Sequence, residues 1–111
     1  MGSESQNDAW LDDFVFEDMR DDLRHEGRER ADWLGEELSR ELAHGHPLFG
    51  VEWVIVAKSI ARDDVVVRLT ANAGALVHMT FTKTPPETPP WPNTLPLRSA
   101  EELQLAMAMR D

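Results

Sequence analysis

The side chains of this 111-residue chain that could do chemistry are four histidines and 21 carboxylates, and there is no cysteine. His44 and His46 flank Gly45, and His78 stands in a run rich in β-branched residues. Two loop imidazoles and a strand imidazole, joined by Asp63 or Asp64, are a workable ligand set for zinc or another divalent ion. His44 and His46 also fall where a helix is expected to end, and an imidazole there complements the helix dipole and caps free carbonyls. Capping, with His78 on a sheet face, is the reading adopted, and no cofactor is expected. The carboxylate pairs Asp12-Asp13, Asp21-Asp22 and Asp63-Asp64 suit acid–base or magnesium work only in a water-poor cleft with separated pKa values. Asp63-Asp64 lies in an expected turn, where aspartate bonds the local backbone. No catalytic residue is assigned, and the chain is not expected to be an enzyme.

Composition narrows the classes. The absence of cysteine removes disulfide frameworks, cysteine zinc sites and thiol nucleophiles. A formal charge of −10 and a pI near 4.7 argue against direct nucleic-acid binding, which needs clustered Lys and Arg. No stretch approaches the roughly 20 apolar residues of a membrane span, and the N-terminus lacks a signal-peptide pattern, so a cytoplasmic setting is expected. The acidity is uneven. Residues 1–43 hold 14 acidic and 5 basic side chains, whereas residues 44–111 hold 7 and 6. The chain therefore reads as a single domain, 1–111, with an acidic helical arm (1–43) on an α+β body (44–111).

The elements that must position these groups follow from periodicity. Leu11, Val15, Met19 and Leu23 recur every four residues, with Trp10 and Phe14, which predicts a first helix from Asp8 to Gly27. Asp12, Asp18 and Asp22 fall in or beside its apolar arc, so the face can be buried only if those carboxylates find donors. A second helix is expected from Arg28 to His44, because Ala31, Leu34, Leu38 and Leu42 lie within about 80° of one another at helical pitch. Three runs (51–57, 64–70 and 75–81) predict a three-stranded antiparallel meander. Pro85 to Pro96 reads as a surface strap excluded from the ladder, with Trp91 plugging it onto the core. Ser99 and Glu102 form a capping box ahead of a short C-terminal helix.

Asp13, Glu17 and Asp21 stand at i, i+4 and i+8 on the outer side of the first expected helix. Each like-charged pair at that spacing costs a helix about 0.2–0.5 kcal/mol, so the stripe does not serve local stability. A basic partner surface would neutralise it and gain fast, salt-sensitive association. Trp33 lies about 145° from the apolar stripe of the second helix, in a sector shared with Glu29, Glu36, Glu37 and Arg40. It either packs on a neighbouring segment or anchors a partner, a role in which tryptophan is enriched. The partner-binding candidates are therefore Asp13, Glu17, Asp21, Trp33, Glu36 and Glu37.

The order Gly45-His46-Pro47-Leu48, Asp63-Asp64-Val65, Val77-His78-Met79-Thr80 and Pro90-Trp91-Pro92-Asn93-Thr94 resembles that of small uncharacterised bacterial proteins. In those a Val-His-Leu-Thr-like strand precedes a Trp-Pro-x-Thr segment. The resemblance covers about the last two-thirds of the chain and is similar in look to toxin-immunity proteins; it implies an architecture and a bacterial setting but no catalytic residues. Together these features predict an acidic cytoplasmic immunity or inhibitor protein that neutralises a cationic toxin or enzyme. Two alternatives stand beside it: a nucleic-acid mimic that uses the same carboxylates to inhibit a defence enzyme, and a small metal-dependent hydrolase built on His44, His46 and His78.

Overall fold

The computed structural model of the chain describes residues 9–16, 20–60, 62–81, 86, 88 and 91–110. In chain order they form α1 (Trp10–Asp13), β1 (Arg20–Asp22), α2 (Arg28–Glu41), β2 (Val54–Ser59), β3 (Asp64–Thr70), β4 (Ala73–His78), β5 (Thr94–Leu97) and α3 (Ala100–Arg110). The fold is α+β, with one antiparallel sheet in the order β1-β2-β3-β4-β5. The expected meander is the centre of this sheet, and each edge carries one strand more.

Both faces of the sheet are covered, as β-branched runs without a polar side require. On one face, Ala31, Leu34, Leu38 and Leu42 pack against Ile55, Val65, Val67, Ala75, Val77 and Met79. On the other, Trp10, Leu11 and Phe14 join Leu103 and Ala106 of α3 over Val56, Val66, Leu76 and Leu97. Successive β3 residues thus serve opposite cores, following the two-residue period of a strand. Burying each leucine of α2 contributes about 2 kcal/mol.

The first expected helix is corrected: it lasts one turn, and Phe14 leaves it with ψ 138°. Arg24 supplies the reason. Its Nη1 donates to the carbonyls of Leu11 (3.0 Å) and Asp12 (3.1 Å), and its Nη2 to that of Phe14 (2.6 Å). In a longer helix those oxygens would accept from N–H groups four residues on. The Asp22 carboxylate braces the same guanidinium at 2.5–2.8 Å, which lies 5.0 Å from the Phe16 ring centroid. Asp12 is held by Arg68 at 2.7 Å, and Asp18, the third carboxylate of the expected arc, lies outside the described residues.

Residues 20–22 then pair with β2, Arg20 opposite Ser59 and Asp22 opposite Ala57. The acidic first part of the chain contributes β1 to the sheet, α2 to one covering layer and α1 to the other. A second correction concerns the proline segment. Thr94–Leu97 joins the sheet, with Pro96 opposite Ala75, because an edge strand tolerates the missing N–H. Trp91 is 46% exposed and is no core plug; Pro92 is the buried residue there, and the Trp91–Pro92 peptide is cis. Residues 85, 87, 89 and 90 of the expected strap lie outside the described residues.

Helix α2 starts where expected but ends at Glu41, with Leu42 already extended. Its start follows Gly27, whose φ of 77° is left-handed and suits a residue without a Cβ. At α3 the Ser99 hydroxyl accepts from Glu102 N at 3.1 Å, while the Glu102 carboxylate accepts from Arg98 N at 2.7 Å. The capping box is therefore shifted by one residue on its return bond.

Candidate partner-binding surface

The three candidate histidines stand in three different settings. His44 is exposed and its ring lies 4.3 Å from that of Phe49. His46 is buried: Nδ1 accepts from Leu48 N at 3.0 Å and Nε2 donates to Pro92 O at 2.8 Å. Those two bonds assign the Nε2–H tautomer. Nδ1 of His78 lies 2.7 Å from Oδ1 of Asp64, a buried carboxylate at the start of β3. Among the described residues no group of three His, Asp or Glu side chains is placed to hold a metal ion.

These contacts give the four sequence motifs of this chain a structural purpose. His46 ties the Gly-His-Pro-Leu loop to the Trp-Pro-Asn-Thr segment through Pro92 O, and Thr94 Oγ1 donates to the same carbonyl at 3.0 Å. His78 N donates to Asn93 O, and Met79 N to Asp63 O, both at 2.9 Å. Register places Asp64 opposite His78, so all four motifs meet at one end of β3 and β4. Thr94 and His78, with Leu76, Asn93 and Leu95, line a depression of about 170 Å³ there.

The expected carboxylate stripe is not a helical stripe. Asp13 ends the one-turn α1, Asp21 sits on β1, and Glu17 lies outside the described residues. Asp21 is paired with Arg30 at 2.6 Å. Its neighbour Asp22 points to the other side of the strand, as alternation requires, and binds Arg24. Hydrogen bonding to Arg24 holds the Asp22 carboxyl below its usual range against the opposing effect of burial. Arg68 does the same for Asp12.

On α2 the expectation fares differently. Trp33 is 53% exposed, and its indole stacks on Phe81 with ring centroids 6.3 Å apart and 20° between planes. Phe81 is held in place from the same helix. The Glu41 carboxylate, 2% exposed, accepts from Thr80 N (3.0 Å), Thr80 Oγ1 (3.2 Å) and Phe81 N (2.8 Å). Glu37 is engaged by Arg40 at 3.1 Å. Glu36 is exposed beside a groove that separates α2 from residues 48–54.

Three carboxylates of α2, Glu29, Asp32 and Glu36, follow one another at i, i+3 and i+7 and therefore share a face. All three are exposed, and none has an ion-pair partner among the described residues. Of these, the sequence placed Glu29 and Glu36 in the sector of Trp33 and chose only Glu36 as a contact, while Asp32 was missed. Helical spacing alone could have found it. Glu41 was also missed, since a helix-end glutamate gives no sign in sequence that it is buried.

Compared with known proteins, the chain matches no family model, no curated protein and no solved structure. Among the described residues no helix is long and apolar enough to cross a membrane.

Proposed function

We propose that the protein is an acidic binding protein of the immunity or inhibitor type, which neutralises a cationic toxin or enzyme in the bacterial cytoplasm by protein–protein contact. One observation carries the reading: α2 presents a half-exposed tryptophan beside a row of carboxylates that no described basic side chain neutralises. Trp33 projects from a helix whose inner face is fully committed to the core, so its position is rigid before any partner arrives. A preformed aromatic anchor loses little freedom on binding. Glu29, Asp32 and Glu36 around it supply the field that steers a positive surface toward the anchor.

The basic residues of the same region reinforce this asymmetry. Of the three exposed arginines of α2, Arg30 and Arg40 are each committed to a carboxylate, while Arg28 donates to a backbone carbonyl. With those pairs formed, Glu29, Asp32 and Glu36 face outward against the one charge of Arg28, and the balance is negative. Asp13 and Asp21 sit on different elements, which supplies no evenly spaced row of charges resembling a phosphate backbone and favours partner neutralisation over nucleic-acid mimicry.

The test is affinity capture from the source cell with the wild-type chain and with Trp33→Ala, followed by binding measurements on the purified captured protein. A basic partner whose affinity falls by more than about tenfold in the variant supports the reading. A captured partner that is acidic, or that binds both forms equally, contradicts it.

A further inference from the structure

The geometry points to the groove between α2 and residues 48–54 as the seat of an extended, Arg- or Lys-bearing segment of the partner. The inference rests on the reading that the partner is cationic, and it adds where the partner's charge enters and in what shape. The groove is open to solvent, has a volume of about 1190 Å³ and is lined along α2 from Arg28 to Arg40. Twelve helical steps at about 1.5 Å each make it about 18 Å long. An extended chain rising about 3.3 Å per residue would place about five residues along it.

Its wall chemistry selects the occupant by charge. Asp32 and Glu36 on the helix and Glu52 across from them line the groove, are exposed, and have no ion pair among the described residues. Of the three arginines that also line it, Arg40 is paired with Glu37 and Arg68 with Asp12, while Arg28 donates only to the backbone oxygen of Leu23. With those pairs formed, three carboxylates of the groove stand against the single charge of Arg28, and the wall is net negative. A second copy of this chain, at a formal −10, would be repelled from it.

The apolar part of the lining suits side chains that alternate with the basic ones. Phe49 and Val51 are exposed at 42% and 45%, and Trp53 is only partly buried. The Trp53 indole lies against the helix at Gly35, where a Cβ would stand in ordinary contact with the ring at 3.8 Å. A strand-like segment presents successive side chains to opposite sides, so one side can meet Phe49, Val51 and Trp53 while basic residues reach the carboxylates.

The full-length, ¹⁵N-labelled protein should be titrated with the peptide acetyl-Arg-Leu-Arg-Leu-Arg-amide, with its Glu-for-Arg counterpart and with arginine amide. The expected result is amide shifts confined to α2 and residues 48–54 for the basic peptide alone. Affinity should fall by at least about tenfold in the combined Asp32→Asn, Glu36→Gln, Glu52→Gln variant and be unchanged in Trp33→Ala. All three substituted side chains are solvent-exposed, so the variant is expected to fold. Shifts scattered over the whole surface, equal binding of the acidic peptide or of arginine amide, or an unchanged affinity in the triple variant would each overturn the proposal. If the captured partner is lost by Trp33→Ala yet held fully by the triple variant, the groove assignment falls while the reading of α2 stands.

Discussion

Glu41 reaches from the end of α2 to the backbone N–H of Phe81, 2.8 Å away, and thereby fixes the ring on which Trp33 stacks. Phe81 adopts φ 49°, a left-handed conformation unfavourable for a bulky residue. Three hydrogen bonds to one buried carboxylate hold the segment against that preference. The exposed aromatic of the candidate surface is therefore supported by a buried charge two helical turns away.

Glu41→Ala should destabilise the fold by about 3 kcal/mol, because it removes a charged acceptor and leaves two backbone donors and a hydroxyl without it. Urea unfolding followed by circular dichroism measures the loss. Trp33 fluorescence should also shift toward that of a solvent-exposed indole in the folded variant. A variant as stable as the parent would mean that water replaces the carboxylate at no cost.

Arg24→Ala should cost about 2–3 kcal/mol, since three carbonyls of the α1 turn and Asp22 lose their common donor. The linked pH effect has a definite sign. The folded-state carboxyl of Asp22 lies below its ordinary value of 3.8, so its contribution is complete above that pH. It is lost as pH falls through the lowered folded value. Asp12, lowered by Arg68, acts in the same direction. Stability measured from neutral pH down through the carboxylate range should fall less steeply in Asp22→Asn than in the parent.

Two glycines predict opposite outcomes. At Gly35 a Cβ meets only the Trp53 ring at 3.8 Å, so Gly35→Ala should stabilise by roughly 0.5–1 kcal/mol through helix propensity. At Gly74 a Cβ would overlap the Val67 carbonyl oxygen and press Leu11 Cδ2 at 2.9 Å. Because a backbone atom cannot turn aside, Gly74→Ala should cost about 3 kcal/mol or more. Thermal unfolding of the two variants provides the comparison.

His46→Ala should destabilise by about 1–3 kcal/mol, leaving Leu48 N–H and Pro92 O without their buried ring partner. The effect should be felt at both segments. Hydrogen exchange should quicken at Leu48 and across β5, and unchanged protection at either place would contradict the bridging role.

The central strands were legible because Val, Ile and Ala crowd residues 54–57, 65–67 and 75–77, and such runs need a sheet covered on both faces. α2 was equally plain, since its apolar residues share one narrow stripe. β1 was not: Arg20-Asp21-Asp22 has no apolar alternation, and its strand character comes from pairing with residues 57–59 across more than thirty residues of chain. The period-four pattern of Leu11 and Val15 imitated a helix, while the group that ends the helix, Arg24, acts from 10 to 13 positions away. Asp12 and Asp22 inside the apolar arc were the available sign against it. β5 was concealed by Pro96, which an edge strand accommodates. Of the candidate surface, Trp33 and Glu36 could be chosen from the helical wheel, whereas Glu52 joins them only through tertiary folding.

Trp33→Ala and the groove variants should separate anchor from field. Losing the indole should speed dissociation of a cationic partner, and removing Asp32, Glu36 and Glu52 should chiefly slow association. Stopped-flow kinetics distinguishes the two. If both sets change the same rate constant, the division between anchor and steering is wrong.

The central claim, that an acidic face on α2 meets a positive partner, is tested most directly by the association rate constant as a function of ionic strength. Between about 50 and about 500 mM salt the rate should fall by at least about tenfold, with a much smaller change in dissociation. An association rate that is the same at both concentrations would contradict the account.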